Sequence, residues 1–201
     1  MYIVCSDLEG VFIPEIWINV AEKTGIAELR LTTRDISDYD VLMRRRLQIL
    51  KESNLKLSDI QAIIATMNPL DGALEFLDWL RSITQVIVVS DTFQEFAGPM
   101  MKKLGMPTLF CHSLTTDADG MIVRYDLRQQ QAKEKTTLAL KSLNYQIIGM
   151  GDSYNDIAML KAADKGILFR PPENVVREFP EFPVTHDYNH LKAMIQNILT
   201  A

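Results

Sequence analysis

Short apolar runs alternate with stretches of helical periodicity along most of this chain. Residues 2–5, 86–89, 108–111, 147–150 and 166–169 are short apolar runs next to turn residues, which is typical of buried strands in a parallel sheet. Between these runs, apolar residues recur three and four positions apart, which predicts amphipathic helices. One such helix face consists of Ala73, Phe76, Leu77 and Leu80. Alternating strands and helices predict an α/β fold with a doubly wound parallel sheet.

One all-helical stretch interrupts this alternation directly after the first strand. Two helix faces and a helix start are predicted there: the face of Ile16, Trp17, Val20 and Ala21, the face of Val41, Leu42 and Leu50, and a third helix with Ser58 as its N-cap. We therefore predict a core of residues 1–13 and 70–201 and a small helical cap domain of residues 14–69. An insertion at this point lies above the strand ends, as a lid.

Two later segments carry turn signals. Asp119-Gly120 separates two apolar stretches and predicts a hairpin turn, because this pair tolerates the positive φ that such turns require. Residues 171–183 contain four prolines and are predicted to be a surface loop before a closing helix at residues 188–199.

Composition and charge narrow the class of protein. The 201 residues are 47% apolar and 23% charged, as in ordinary globular proteins. A formal net charge of -5 gives no basic face for nucleic acid. The start of the sequence lacks a basic n-region, so we predict no signal peptide, and no apolar stretch reaches the roughly 20 residues needed to span a membrane. Cys5 and Cys111 lie in apolar runs, which predicts two reduced thiols in a cytoplasmic protein. The oligomeric state is left open.

Acidic residues cluster after two of the predicted strands. Asp7 and Glu9 follow the first strand, and Asp152, Asn155 and Asp156 follow the strand at residues 147–150. Parallel strands end at the same edge of a sheet, so these side chains are expected in one crevice. Crowded carboxylates need a cation, and hard oxygen ligands suit Mg²⁺. Helix capping explains Asp152 or Asn155 singly, but it explains the whole set poorly.

These residue types suit phosphoryl transfer through a covalent aspartyl phosphate. Asp7 is the predicted nucleophile, and Glu9 is the acid that protonates the leaving oxygen and later deprotonates the incoming one. Ser90 ends a strand, where a hydroxyl and main-chain N–H groups bind phosphate, although helix capping is the alternative. Lys133 is the preferred cation, while a solvated surface position remains open for it or for Lys135.

Residues of the second acidic cluster take further roles in this hypothesis. Asp152 at the strand end is the natural metal ligand. Asp156 either holds a metal-bound water or orients Lys133. Asn155 can hydrogen-bond a substrate without adding charge.

Four segments together resemble the four motifs of the haloacid dehalogenase superfamily, in its order and spacing. They are Asp7-Leu8-Glu9-Gly10-Val11, Ser90-Asp91-Thr92-Phe93, Lys133, and Gly151-Asp152-Ser153-Tyr154-Asn155-Asp156. Within that superfamily the chain resembles phosphoserine phosphatases, through Glu15, the run 44–47 and the segment 69–73. The first two motifs are most similar to a bifunctional branch that also passes the phosphoryl group to homoserine.

This resemblance implies a Rossmann-like core with a cap, a Mg²⁺-dependent reaction and phosphoserine as substrate. It implies that Glu15 binds the substrate ammonium and Arg46 its carboxylate, and that Ser90, Asp91, Lys133 and Asn155 also contact the substrate. The metal would be held by Asp7, Glu9 and Asp152, with Asp156 in a less direct position. The family usually has Asp-x-Asp where this chain has Asp7-Leu8-Glu9. The main-chain carbonyl of Glu9 is unaffected by that change, whereas its side chain reaches one methylene further.

Several alternatives stay open at this point. Arg46 is alternatively a surface residue of the cap, and Glu15 a first-turn acid that complements a helix dipole. The acceptor is water or homoserine, and the substrate is phosphoserine or another small phosphomonoester. A non-catalytic binding module would be expected to lack the nucleophile or a metal ligand, but the chain retains both. His112, His186 and His190 lack the spacing of a helical metal site, so no histidine metal site is predicted.

Overall fold

The computed structural model describes residues 1–32, 35–36 and 38–200. A seven-stranded sheet runs through this part of the chain in the order β4-β3-β2-β1-β5-β6-β7. Its strands are β1 (Tyr2–Ser6), β2 (Gln85–Phe93), β3 (Thr108–Thr116), β4 (Ile122–Asp126), β5 (Gln146–Gly151), β6 (Lys165–Phe169) and β7 (Val184–Thr185). All neighbours pair in parallel except β3 and β4. The predicted doubly wound parallel sheet is confirmed.

Nine α-helices accompany the sheet in the described residues. They are α1 (Ile16–Thr24), α2 (Tyr39–Glu52), α3 (Leu57–Thr66), α4 (Ala73–Ile83), α5 (Gln94–Lys103), α6 (Ala132–Ser142), α7 (Ile157–Ala162), α8 (Glu173–Glu178) and α9 (Tyr188–Thr200). Short 3₁₀ turns occur at Ala27–Arg30 and Tyr154–Asp156. None of the helices in the described residues combines the length and the apolar character that a membrane crossing requires.

β1 lies at the centre of the sheet because both of its faces are apolar. Val4 packs into the larger hydrophobic cluster on one face, and Ile3 and Cys5 pack into the smaller cluster on the other. β2 lies on one side of β1 and β5 on the other. The chain direction across the sheet therefore reverses at β1, and in such folds ligands bind at the strand ends beside this reversal.

The predicted hairpin and helix face after the cap region are present. β3 and β4 pair antiparallel around Gly120, whose φ is +82°. The face of α4 is buried at all four predicted positions. The pattern of apolar residues was sufficient to predict these elements because they pack into the same hydrophobic cluster.

Two details of the segment 14–69 differ from the prediction. Ser58 is not an N-cap: α3 begins at Leu57, and the main-chain N–H of Lys56 donates to the carboxylate of Asp59 at 2.8 Å. Val41 is 51% exposed, and the buried face of α2 consists of Leu42, Met43, Arg46 and Leu50. Because that face includes an arginine, the apolar spacing alone predicts a buried face of α2 that is displaced by one residue. The division into core and cap stays a prediction.

Residues 171–183 are more regular than the predicted surface loop. α8 begins directly after Pro172, and β7 follows at Val184. Six helical residues and two strand residues are too few to show a hydrophobic period. Proline at the start of α8 is compatible with the helix, since its missing N–H has no intrahelical partner there.

Candidate active site

The ends of β1, β2 and β5 meet at a cavity of about 390 Å³. This cavity is lined by nine of the ten predicted site residues, namely Asp7, Glu9, Glu15, Arg46, Ser90, Asp91, Lys133, Asp152 and Asn155. The tenth, Asp156, is fully buried and hydrogen-bonds Lys133 from outside the lining. The structure therefore brings all the predicted residues together, although they come from segments spread over 150 positions of the chain.

Lys133 is the centre of a buried ion-pair network. Its Nζ lies 2.9 Å from Asp7 Oδ2, 2.8 Å from Asp156 Oδ1 and 3.7 Å from Asp91 Oδ2. Burial alone would lower the pKa of Lys133, but the carboxylates of Asp156, Asp7 and Asp91 raise it well above its ordinary value. Lys133 therefore stays charged beside the predicted nucleophile, and the alternative of a solvated surface lysine is wrong.

Asp156 connects this lysine to the turn after β5. Its second oxygen, Oδ2, accepts the main-chain N–H groups of Asp152 and Ser153 at 3.0 and 3.1 Å. Both carboxylate oxygens of Asp156 are thus engaged within the protein. Of the two roles considered for it, the direct contacts agree with orienting Lys133.

Asp7, Asp152 and Asp156 form a group suited to a metal ion. One oxygen of each carboxylate lies within 4.8 Å of the others. Burial, and then the charge of Asp156, raises the pKa of Asp7 well above its ordinary value and that of Asp152 to about 7. A cation is needed to keep such carboxylates ionised together, and all-oxygen donors suit Mg²⁺.

Gly10 lets the loop after β1 approach Asp152. Its φ is +75°, and a Cβ atom at this position would lie 2.6 Å from the carboxylate of Asp152. Any other residue would both strain the backbone and displace the carboxylate. The loop that carries Glu9 can therefore pass close to Asp152 only because residue 10 is a glycine.

Glu9 and Arg46 form a second group of charged residues at the cavity. Glu9 Oε2 accepts the main-chain N–H of Ile16, at the start of α1, at 2.8 Å. Burial, and then the charge of Glu15, raises the pKa of Glu9 to about 8. Glu9 is therefore largely protonated at neutral pH.

Arg46 is buried, and its guanidinium stacks 4.4 Å above the ring of Trp17. Nη2 donates to the carbonyl of Leu31 at 2.8 Å, whereas Nε has no hydrogen-bond partner among the described residues. Burial lowers the pKa of Arg46 to about 10, which still leaves it charged at neutral pH. The alternative of a surface residue is therefore wrong.

Ser90 and Asp91 reach the cavity because β2 bulges. Between the pairs Val89–Phe110 and Phe93–His112, β2 advances four residues and β3 two. Ser90 is not a helix N-cap, since α5 begins after Phe93. Asp91 accepts a hydrogen bond from Asn155 Nδ2 at 3.1 Å. Although burial opposes it, the charge of Lys133 keeps the pKa of Asp91 below its ordinary value.

Some cavity residues were not predicted. Trp17, Tyr39, Tyr154 and Arg170 also line it. Arg170 directly follows β6, so the rule that found Asp7 and Asp152 applied to it as well. Tyr39 Oη donates to the carbonyl of Asp91 at 3.3 Å, a contact between positions 52 residues apart that no local pattern predicts.

Comparison with known proteins agrees with this geometry. The haloacid dehalogenase-like hydrolase family matches residues 9–164. A phosphoserine phosphatase of Pseudomonas syringae pv. tomato is 60% identical over 94% of this chain and 80% of its own length. Phosphoserine phosphatase ThrH of Pseudomonas aeruginosa is 59% identical over 96% of this chain and 94% of its own length.

Solved structures show the same fold. A phosphoserine phosphatase in its apo form has a TM-score of 0.77 at 20% identity and covers 95% of this chain and 97% of its own. A phospho-aspartyl intermediate analogue of a phosphoserine phosphatase has the same TM-score and identity and covers 96% and 97%. At this identity the likeness concerns the fold alone.

Proposed function

The chain belongs to the haloacid dehalogenase-like hydrolase family, and from this premise we propose that it hydrolyses O-phosphoserine through a phosphorylated Asp7. The observation that carries the proposal is the pairing of Asp7 with Lys133 at 2.9 Å, in one cavity with Glu9, whose pKa is raised to about 8, and with the guanidinium of Arg46. Two relatives near 60% identity bear the name phosphoserine phosphatase.

In the first step, a carboxylate oxygen of Asp7 attacks phosphorus, and the bond from phosphorus to the serine oxygen breaks. The serine oxygen takes its proton from Glu9, whose raised pKa makes it an effective acid at neutral pH. Lys133, held between Asp7 and Asp156, balances the negative charge of the transferring group.

In the second step, Glu9 removes a proton from an incoming hydroxyl, and the oxygen of that hydroxyl attacks phosphorus. The bond from phosphorus to Asp7 breaks, and the carboxylate is regenerated. Water as acceptor gives inorganic phosphate. Homoserine as acceptor gives O-phosphohomoserine, and we extend the proposal to this transfer because of the resemblance of the first two motifs to the bifunctional branch.

The donor set fits Mg²⁺, which when bound neutralises charge on the phosphate oxygens. Asp7, the main-chain carbonyl of Glu9 and Asp152 would hold it. Asp156 lies behind them, since both of its oxygens already accept hydrogen bonds.

The substrate's amino-acid part is recognised by Arg46 and Glu15 in this proposal. Arg46 binds the carboxylate, for which its charged guanidinium at the cavity is suited. Glu15 lies beside Glu9 and binds the ammonium. Ser90, Lys133 and Asn155 contact the phosphate, and Asp91 holds Asn155. In this proposal the cap of residues 14–69 excludes water from the cavity. The cytoplasmic location stays a prediction.

A substrate panel tests the proposal. Phosphoserine, phosphothreonine and p-nitrophenyl phosphate are incubated with Mg²⁺, and phosphate release and transfer to homoserine are measured in parallel. We expect phosphoserine to have the highest kcat/KM and a chelator to stop the reaction. Equal rates on esters that lack the amino and carboxylate groups would instead identify a general phosphomonoesterase. Phosphate release without O-phosphohomoserine would restrict the acceptor to water.

A further inference from the structure

His112 is a buried histidine that takes no part in the chemistry above. It lies on β3 with 3% of its surface exposed. Its Nδ1 accepts the main-chain N–H of Arg128 at 3.2 Å. A ring nitrogen that accepts carries no proton, so the neutral ring has its proton on Nε2. Nε2 lies 3.6 Å from Asp91 Oδ1, and the ring therefore directs a donor at that carboxylate.

Asp91 links His112 to the reacting groups. Its other oxygen, Oδ2, accepts a hydrogen bond from Asn155 at 3.1 Å and lies 3.7 Å from Lys133 Nζ. Lys133 in turn contacts Asp7 at 2.9 Å. A continuous row of polar contacts thus runs from His112 through Asp91 and Lys133 to the nucleophile.

The bulge in β2 creates this arrangement. It adds two residues between the pairs that β2 forms with Phe110 and His112 of β3, so Asp91 is turned out of the ladder. The same irregularity leaves His112 beside it. Behind the pair lies a second cavity of about 630 Å³, which both side chains line.

The negative charge of Asp91 would interfere with the reaction if its side chain were not held in place. An unrestrained carboxylate beside Lys133 would compete with Asp7 for that cation, and it would repel the phosphate that Ser90 receives. We infer that His112 is a positioning residue: by holding Oδ1 of Asp91, it keeps this carboxylate against Asn155 and leaves Lys133 on Asp7. This inference rests on the proposed phosphoryl transfer at Asp7.

A double-mutant cycle tests it with phosphoserine and with p-nitrophenyl phosphate. His112→Phe, which removes the donor, is expected to lower kcat about 10-fold with a smaller change in KM, as outer partners of reacting groups do. His112→Gln keeps a donor and should stay within about 3-fold of the wild type. In an Asp91→Asn background, His112→Phe should lower kcat by less than about a further 2-fold, because the neutral amide no longer competes for Lys133 or repels the phosphate. His190→Gln, on the exposed side of α9, should have no effect.

Other outcomes overturn the inference. One is a loss of kcat for His112→Phe that is as large in the Asp91→Asn background as in the wild type. The others are a His112→Gln variant as impaired as His112→Phe, and a His112→Phe variant with normal kcat. If the enzyme hydrolyses p-nitrophenyl phosphate but not phosphoserine, the substrate proposal fails, yet the cycle remains readable on the aryl ester.

A second measurement needs no substitution at His112. In ¹⁵N-histidine NMR at pH 8, the proton of this ring should reside on Nε2, as the Arg128 contact requires. A ring protonated at Nδ1 would overturn the inference even if His112→Phe failed to fold.

Discussion

Two groups of charged residues at the cavity differ in how completely they are paired. In the group we call the lysine side, made of Lys133, Asp7, Asp91 and Asp156, the ammonium meets three carboxylates within 3.7 Å. On the arginine side, made of Arg46, Glu9 and Glu15, the guanidinium stacks on Trp17 and leaves Nε without a partner among the described residues. The cation of the lysine side is thus paired within the protein, whereas the cation of the arginine side keeps one donor without a partner among the described residues.

This difference separates positioning from recognition. In the proposed mechanism, the groups that must not move during the reaction are those held by several partners on the lysine side. The two cations differ in the same sense, because neighbouring carboxylates raise the pKa of Lys133 despite its burial, whereas burial lowers the pKa of Arg46. Uncompensated buried groups gain most when a ligand supplies the missing partner. We therefore expect substitutions on the lysine side to affect kcat for every substrate, and those at Arg46 to affect selectivity.

The largest effect is expected for Asp7→Asn, which removes the nucleophile and keeps its shape. Turnover should fall by at least about 10⁴-fold, and no phosphoenzyme should form. Rapid quench with ³²P-labelled substrate measures both. Asp78→Asn, an exposed carboxylate on α4, is the control for loss of one acid. Label recovered on another residue of the wild type would disprove the assignment.

Glu9→Gln should slow both formation and breakdown of the phosphoenzyme by about 10² to 10⁴-fold. An amide cannot give or take the proton, but it can still accept the hydrogen bond from Ile16. Single-turnover kinetics would resolve the two steps. A normal rate at neutral pH would mean that another group moves the proton.

Arg46→Ala should weaken the binding of phosphoserine and raise its KM by about 10- to 150-fold, which corresponds to the loss of one charge-assisted hydrogen bond. The same variant should change p-nitrophenyl phosphate little, because that ester has no carboxylate. Arg46→Lys keeps the charge but not the fork, and it should recover part of the loss. An equal rise in KM, or an equal fall in kcat, for both substrates would mean that Arg46 acts like the residues of the lysine side, and the contrast between the two groups would be lost.

The lysine side was more predictable from sequence than the arginine side. Asp7, Ser90 and Asp152 each come at or just after the end of a short apolar run, so a local pattern and the geometry of parallel sheets suffice to bring them together. The burial of Arg46 is a tertiary effect, because its guanidinium packs against the ring of Trp17, which lies 29 positions earlier in the chain. The pair Asp91–His112 depends on a bulge, and bulges leave no mark in the apolar pattern.

Contacts across the whole chain were also beyond local patterns. Tyr188 Oη donates to the carbonyl of Val11 at 2.6 Å and so connects α9 to the loop after β1. Its ring stacks on Phe76 and Phe169. The sequence predicts a helix at this point but not which residue of it reaches the loop.

The raised pKa of Glu9 predicts a pH dependence of stability, measured in chelator. The folded protein keeps this proton up to about pH 8, whereas the unfolded chain releases it near 4.5. Stability from Glu9 therefore falls as the pH rises between these values. Glu9→Gln has no proton to lose, so at pH 8.5 it should be more stable than the wild type by about 1–3 kcal/mol. Urea unfolding of both proteins at pH 5 and 8.5 measures the difference, and a gap that does not widen with pH would contradict the buried acid.

Gly10→Ala should produce the smallest effect and test the metal ligands without touching a carboxylate. The new Cβ would lie 2.6 Å from the Asp152 carboxylate, which must move, so the Mg²⁺ concentration for half-maximal activity should rise by about 3- to 10-fold. Gly25→Ala is a matched control, since its φ of +73° is nearly that of Gly10 and no described atom lies within 4 Å of its Cβ. Both variants pay about 1 kcal/mol of backbone strain, seen as a lower Tm. Only Gly10→Ala should change the Mg²⁺ requirement, and an equal change in Gly25→Ala would attribute the effect to strain rather than to Asp152.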